Sequence, residues 1–90
     1  MHSSYQTLTD KLADAHTLVD VGAHYHHHKD QDKDYEVIAL ALDEATEEVC
    51  VVYKSSHPGI IWTRPLANWL AHVENEGGET VPRFSLLEEN

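Results

Sequence analysis

The sequence has few of the residues that define several common protein classes. Among its 90 residues there is a single cysteine, Cys50, so an intrachain disulfide is excluded and a reducing cytoplasm is favoured. Six residues are lysine or arginine and sixteen are aspartate or glutamate, which gives a net charge of −10 with histidine neutral. A protein that binds the phosphate backbone of nucleic acid needs a basic surface, so this composition disfavours that function.

Long apolar stretches are also missing. The longest, residues 37–42, is far shorter than the roughly 20 residues that span a bilayer. The first eight residues lack the basic and apolar regions of a signal peptide. We therefore expect a cytoplasmic protein with no membrane partner. The length predicts one small domain, which a homodimer or another protein partner would stabilise by burying more surface.

The amino-terminal part of the chain has the spacing of an amphipathic helix. Apolar side chains recur there every three or four residues: Leu8, Leu12, Ala15 and Val19. This spacing predicts a helix over residues 7–20 that ends before Gly22 and docks on the domain or on a second subunit. We expect residues 1–21 to form a helical extension.

From residue 22 onward the patterns are mostly those of strands. Residues 22–28 are expected to be extended, and the polar residues 30–34 to form a loop. Two β-rich runs, 35–42 and 49–54, predict a hairpin. Both faces of that hairpin are apolar, so we expect it to be covered on both sides, as in a small closed barrel with a helix packed outside.

The carboxyl-terminal third predicts three shorter elements. Residues 60–63 favour a strand, and residues 65–74 favour a short helix because apolar side chains follow Pro65 at helical spacing. A last strand is predicted over residues 79–86, after the Gly77-Gly78 pair. Residues 87–90 are expected to fray.

Five short motifs occur in one order along the chain. They are Gly22-x-x-Tyr25-x-His27-x-Lys29, Tyr35-Glu36-Val37, Val51-Val52-Tyr53-Lys54, Trp62-x-Arg64-Pro65-Leu66 and Val81-Pro82-Arg83-Phe84. Over residues 22–84 this series resembles a small bacterial family, domain of unknown function 1653. The resemblance implies a mainly β fold over residues 22–86: a small SH3-like barrel of about five strands, with a short helix before the last strand. It implies no activity, because the family has none assigned.

Four histidines lie within five residues and suggest a metal site. In an extended strand His24, His26 and His28 would share one face. Two neighbouring histidines on that face can hold Zn²⁺ or Ni²⁺ if a third ligand comes from elsewhere in the chain. The alternative, which the sequence favours, is a solvated histidine face that binds Zn or Ni only adventitiously, so no physiological cofactor is expected.

The other candidate site combines aromatic side chains with the scarce cations. Its members are Tyr25, His27, Lys29, Tyr53, Trp62, Arg64 and Arg83. The planar fork of arginine suits a carboxylate or a phosphate, so these residues are predicted to bind a ligand. In the alternative, His27 is a buried neutral imidazole, and the arginines pair with carboxylates or helix-end carbonyls to hold the fold together.

No constellation of nucleophile and base is recognisable, and Cys50 is expected to be a packing residue. The first hypothesis is therefore a non-enzymatic module that binds a protein, a peptide or a small anionic ligand. The first alternative is a metal- or pH-responsive protein that uses His24, His26 and His28. The second alternative is an enzyme of unknown reaction centred on His27.

Overall fold

The computed structural model describes residues 4–87, except for the side chain of Gln31, and shows a mainly β protein with an amino-terminal helix. The two helices are α1 (Tyr5–His16) and α2 (Leu66–Trp69). The strands are β1 (His24–His27), β2 (Asp30–Leu42), β3 (Val49–Ser55), β4 (Ile61–Pro65), β5 (His72–Glu74), β6 (Thr80–Pro82) and β7 (Phe84–Leu86). Residues 88–90, which were expected to fray, lie outside the described residues.

The strands form two antiparallel sheets. Five of them make one sheet in the order β4-β3-β2-β1-β7, and β5 pairs with β6 in a separate hairpin. Within residues 4–87, β4 and β7 are the edges of the larger sheet and do not pair with each other. The sheet is therefore not closed into a barrel, and the SH3-like barrel implied by the resemblance is not confirmed.

Between the edge strands β4 and β7, side-chain packing takes the place of the backbone hydrogen bonds that would close a barrel. Trp69 of α2 stacks on Phe84 of β7 with ring centroids 3.8 Å apart. Arg64 of β4 reaches the same Phe84 ring, with its Cζ 5.1 Å from the centroid. The buried core consists of Val19, Tyr25, Val37, Val51, Tyr53, Trp69 and Phe84. The large sheet thus curls around this core while its two edges remain unpaired with each other.

The helix α1 is shorter than the predicted helix over residues 7–20. It begins after Ser4, whose Oγ accepts a hydrogen bond from the Thr7 amide at 3.2 Å. It ends at His16, because the Thr17 hydroxyl donates to the Asp14 carbonyl at 2.6 Å and so satisfies a carbonyl of the last turn. Val19 is consequently buried from the turn that follows the helix rather than from the helix itself.

The hairpin of β2 and β3 forms where it was predicted, but β2 begins at Asp30 and includes the expected loop. A β-bulge between Val37 and Ala39 then changes which residues face the core. Val37 is fully buried, Ile38 is 41% exposed, and the next inward side chain is Leu40. The inward positions therefore change from odd to even numbers along one strand.

The predicted helix over residues 65–74 is limited to Leu66–Trp69. The chain turns at Leu70 and enters β5, whose pairing with β6 replaces further helix. The predicted strand over residues 79–86 is divided at Arg83, whose amide donates to the Ala71 carbonyl at 2.9 Å. Residues on either side of Arg83 therefore belong to different sheets.

Among the described residues, neither helix has the length and apolar character needed to cross a bilayer.

We expect Phe84→Ala to destabilise the protein strongly, because the ring is 8% exposed and lies at the centre of the aromatic core. Removing a buried phenylalanine ring costs about 3–5 kcal/mol of unfolding free energy. Urea unfolding followed by circular dichroism would measure the loss. The matched control is Leu86→Ala in the same strand, where the side chain is 48% exposed and the change should stay within about 0.5 kcal/mol. Equal losses in both variants would contradict this account of the core.

Candidate functional site

An open groove with basic and aromatic walls lies beside the edge strand β4. Its cavity volume is about 270 Å³, and we call it the basic groove. Its lining residues are Lys33, Tyr35, Tyr53, Ser55, Pro58, Trp62 and Arg64. Two of these side chains are cationic and none is a carboxylate, although the whole chain has a net charge of −10. Lys33 Nζ also lies 3.4 Å from Asp30 Oδ2, which partly neutralises its charge, so Arg64 contributes most of the local positive charge that would attract an anion.

Arg64 is held in place at the wall of the basic groove. Its Nε donates to the Tyr53 hydroxyl at 3.3 Å, and its Nη1 donates to Asn68 Oδ1 at 2.6 Å. The guanidinium also lies over the Phe84 ring, at a distance suited to a cation–π contact. These three contacts fix the orientation of the planar fork before any ligand arrives.

Arg83 follows α2 in the chain and contacts the same residue of that helix as Arg64 does, namely Asn68. Its Nε donates to the Asn68 carbonyl at 3.0 Å, whereas Arg64 uses the side-chain oxygen of that residue. Asn68 therefore holds both arginines, one from β4 and one from the junction of β6 and β7. Arg83 does not line the basic groove.

His27 is packed against Phe84, with ring centroids 5.0 Å apart and nearly perpendicular planes. The Lys29 amide donates to His27 Nδ1 at 3.1 Å, so the neutral ring carries its proton on Nε2. Burial, and after it the neighbouring positive charges, together lower the pKa of His27 from 6.5 to about 4. Those neighbours, in decreasing order of effect, are His28, Arg64, Arg83 and Lys29. His27 is thus a neutral imidazole at neutral pH.

The structure separates the predicted ligand-binding residues into four places, with Lys29 in the fourth. Tyr53, Trp62 and Arg64 line the basic groove. His27 and Arg83 lie on the other side of Phe84 and Asn68. Tyr25 is 7% exposed, and its hydroxyl accepts a hydrogen bond from the Asp20 amide at 3.0 Å, so it belongs to the core.

Lys29 lies apart from the groove, on the wall of a larger cleft of about 630 Å³. That cleft is lined by His28, Lys29, Asp30, Asp32, Glu74, Asn75, Glu76 and Gly77. Four carboxylates make this cleft unsuited to an anion, in contrast to the basic groove.

Four of the seven residues that line the basic groove were not among the sequence candidates: Lys33, Tyr35, Ser55 and Pro58. Lys33 was missed because residues 30–34 were expected to form a loop, whereas Tyr35 was recognised only as part of a strand and a motif. The alternation of Lys33, Tyr35 and Val37 was the available signal, since side chains two residues apart share a face of a strand.

The three histidines proposed as metal ligands do not converge. His24 Nδ1 lies 2.6 Å from Asp34 Oδ1, whereas the His28 ring lies against His27 with centroids 4.6 Å apart. The strand β1 ends at His27, and its pairing with β2 shifts register between Tyr25 and His27. In the part of the chain that the structure describes, no three histidine, cysteine or acidic side chains are grouped closely enough to hold a metal ion. The metal site remains a prediction from sequence.

Cys50 is half-buried in β3 and is not a member of the buried core. Burial raises the pKa of its thiol, and the nearby carboxylates of Asp43 and Glu48 raise it further. A raised pKa disfavours the reactive thiolate form.

The open sheet and the basic groove together define a small, mainly β domain in which a cationic, aromatic surface occurs on an acidic chain. Residues 23–86 match the model of a family described as protein of unknown function DUF1653, and the chain belongs to this family. The resemblance drawn from the five motifs is therefore confirmed. The helix α1 lies outside the matched residues.

A solved structure supports the same assignment. The crystal structure of a DUF1653 protein from Bordetella bronchiseptica is 32% identical to this chain, with a TM-score of 0.62. The similarity covers 73% of this chain and 85% of the other. None of the curated proteins compared with the chain matches it.

The low pKa of His27 predicts a specific dependence of stability on pH. An unfolded histidine takes up a proton near pH 6.5, whereas folded His27 does so only near pH 4. Between these values the unfolded state binds more protons, so the stability contributed by His27 is complete above pH 6.5 and decreases as the pH falls toward 4. The variant His27→Asn keeps an acceptor near the Lys29 amide but does not titrate.

Urea unfolding of both proteins at pH 7.5, 5.5 and 4.5 would measure this effect. We expect the unfolding free energy of the wild type, relative to that of His27→Asn, to decrease with each step toward acid. The other seven histidines are common to both proteins and cancel in the comparison. A difference that does not change with pH would contradict the assigned environment of His27.

Proposed function

We propose that the protein is a non-enzymatic binding module whose basic groove takes a ligand with both an anionic group and an apolar surface. One observation carries the proposal: the groove contains Lys33 and Arg64 and no carboxylate, on a chain with a net charge of −10. The separation of charge favours an anion at this position.

The donors of Arg64 suit a carboxylate or a phosphate. Its contacts with Tyr53 and Asn68 engage Nε and Nη1 and hold the guanidinium plane at the groove wall. A pre-oriented guanidinium loses less conformational freedom when a ligand binds, so more of the interaction energy contributes to affinity.

The aromatic walls suit the apolar part of the ligand. Trp62 is 48% exposed, although large aromatic side chains are usually more buried. The Tyr35 and Tyr53 rings lie in a T-shaped arrangement with centroids 5.9 Å apart and form another part of the lining. Flat apolar groups of a ligand would gain mainly by covering the Trp62 ring, since Tyr53 is 6% exposed.

The same lining favours binding over catalysis. It contains no histidine, carboxylate or thiol that would act as a general base near neutral pH. The Ser55 Oγ accepts a hydrogen bond from the Ile60 amide at 3.2 Å, which gives this hydroxyl a role in the turn before β4. His27, the centre of the enzymatic alternative, lies outside the groove.

Phenyl phosphate is a suitable probe because it combines a dianion with an aromatic ring. We expect it to change tryptophan fluorescence saturably, with a dissociation constant on the order of millimolar for so small a ligand. The signal should come from Trp62, since Trp69 is 2% exposed. Trp62→Phe should therefore remove most of the change. Lys33→Ala should weaken binding about three- to tenfold through the loss of one exposed cation.

Two controls define the result that would refute the binding module. Lys11→Ala removes the same charge from α1, outside the groove, and should leave the affinity unchanged. Benzylamine has the same ring with a cation and should not bind. Equal responses to phenyl phosphate and benzylamine, or no saturation by phenyl phosphate, would overturn the proposal.

We further infer that the protein acts in the cytoplasm and forms a homodimer or binds another protein. The single cysteine and the small core support these inferences. Sedimentation equilibrium over a range of protein concentrations tests the dimer.

A further inference from the structure

The outer edge of β4 presents backbone groups in a defined alternation. The Ser55 amide donates to the Ile60 carbonyl at 3.0 Å, which makes these two residues a hydrogen-bonded pair. In antiparallel strands such pairs alternate with pairs whose backbone groups point away from each other. In the β3–β4 register, Trp62 and Arg64 therefore direct their backbone groups to β3, while Ile61 and Thr63 direct theirs outward.

The other side of β3 confirms this alternation. The Ser56 amide donates to the Asp34 carbonyl at 2.8 Å. The backbone N–H and C=O groups of even-numbered residues in β3 therefore point toward β2, and those of odd-numbered residues point toward β4. Pro65, at the end of β4, has no amide hydrogen to offer. The amides of Ile61 and Thr63 are consequently the outward donors along β4.

The side chains of β4 divide between two faces in the same alternation. Trp62 and Arg64 line the basic groove, and Ile61 and Thr63 lie on the opposite face. Ile61 is 61% exposed, and all of β4 except Arg64 is exposed. An unprotected apolar edge strand is a template for pairing with another strand.

We propose that the ligand of the basic groove is an extended acidic peptide that joins β4 as an additional antiparallel strand. This inference rests on the proposed function, since the same Arg64 would pair with a peptide carboxylate at β4, while Lys33, two strands away on β2, adds to the positive field. Backbone bonds to Ile61 and Thr63 would supply affinity that does not depend on sequence. Alternate acidic side chains would lie over the groove and supply specificity.

Charge decides between this occupant and a second copy of the chain. A copy of the protein carries a net charge of −10 and would bring its own Lys33 and Arg64 to the edge. The net charge of −10 opposes an acidic peptide as well as a second copy, so the local cations decide. Those of two copies would repel each other at the edge, whereas an acidic peptide pairs with Arg64 and adds no opposing cation.

The probe is a seven-residue peptide in which three glutamates alternate with two valines between glycines, acetyl-Gly-Glu-Val-Glu-Val-Glu-Gly-amide. In an antiparallel pair its valines lie opposite Ile61 and Thr63, so the valine amides face β4 and the glutamate amides face solvent. Methylating the two valine amide nitrogens should weaken binding at least tenfold. Methylating two glutamate amides, in an isomer of equal mass and charge, should leave the affinity within about twofold.

The matched protein variants are Thr63→Pro and Thr63→Ala. Proline removes the outward amide hydrogen, and it leaves the bonds to β3 intact because Thr63 makes none. We expect Thr63→Pro to weaken the affinity for the peptide at least tenfold and to leave the affinity for phenyl phosphate unchanged. Thr63→Ala should leave both affinities unchanged. Thermal unfolding of each variant checks the fold. In the wild type, the peptide should slow hydrogen exchange of the Ile61 and Thr63 amides.

The outcomes separate the two proposals. Equal binding of both methylated peptides, or peptide binding without protection of the Thr63 amide, overturns strand addition while the binding module stands. If the wild type binds neither the peptide nor phenyl phosphate, both proposals are overturned. Protection of Thr63 that grows with protein concentration in the absence of peptide, together with a doubled mass, assigns the edge to a second copy and overturns the peptide.

Discussion

The packing around Phe84 holds together parts of the chain that share no backbone hydrogen bonds. The ring stacks on Trp69 of α2, and the guanidinium of Arg64 in β4 covers it. Because β4 and β7 are opposite edges of an open sheet, the backbone provides no direct link between them. The Phe84 ring therefore supplies part of the connection that a closed barrel would make with a ladder of hydrogen bonds. The β5–β6 pairing and the bond from the Arg83 amide to the Ala71 carbonyl supply the rest.

The basic groove and the core share their aromatic residues. The Tyr53 ring lies 5.8 Å from Phe84 and also forms part of the groove wall, and its hydroxyl accepts a hydrogen bond from Arg64. Tyr35 has the same double role. The groove is therefore the outer side of the core rather than a loop added to it. Its shape is as rigid as the packing beneath it, which suits a binding surface.

The parts of the structure that were predictable are those set by local patterns. Two β-rich runs located the β2–β3 hairpin, and the family-like motifs selected Tyr53, Trp62 and Arg64 for the site. Long-range pairing decided the rest. The bulge after Val37 depends on how β2 meets β3, and Lys33 lies in a strand only because β1 and β3 pair with its neighbours. Neither strand pairing can be recognised from the local sequence alone.

Asn68 gives two arginines a common anchor, one through its side-chain oxygen and one through its carbonyl. A free arginine side chain loses up to about 2 kcal/mol of rotational entropy when it is ordered. Here Arg64 and Arg83 are ordered when the domain folds, before any encounter. The entropic cost of ordering these side chains is therefore part of the free energy of folding. For an arginine that is mobile in the free protein, the same cost would reduce the free energy of binding. A single asparagine thereby links the folding free energy of the protein to the conformational entropy of its two arginines.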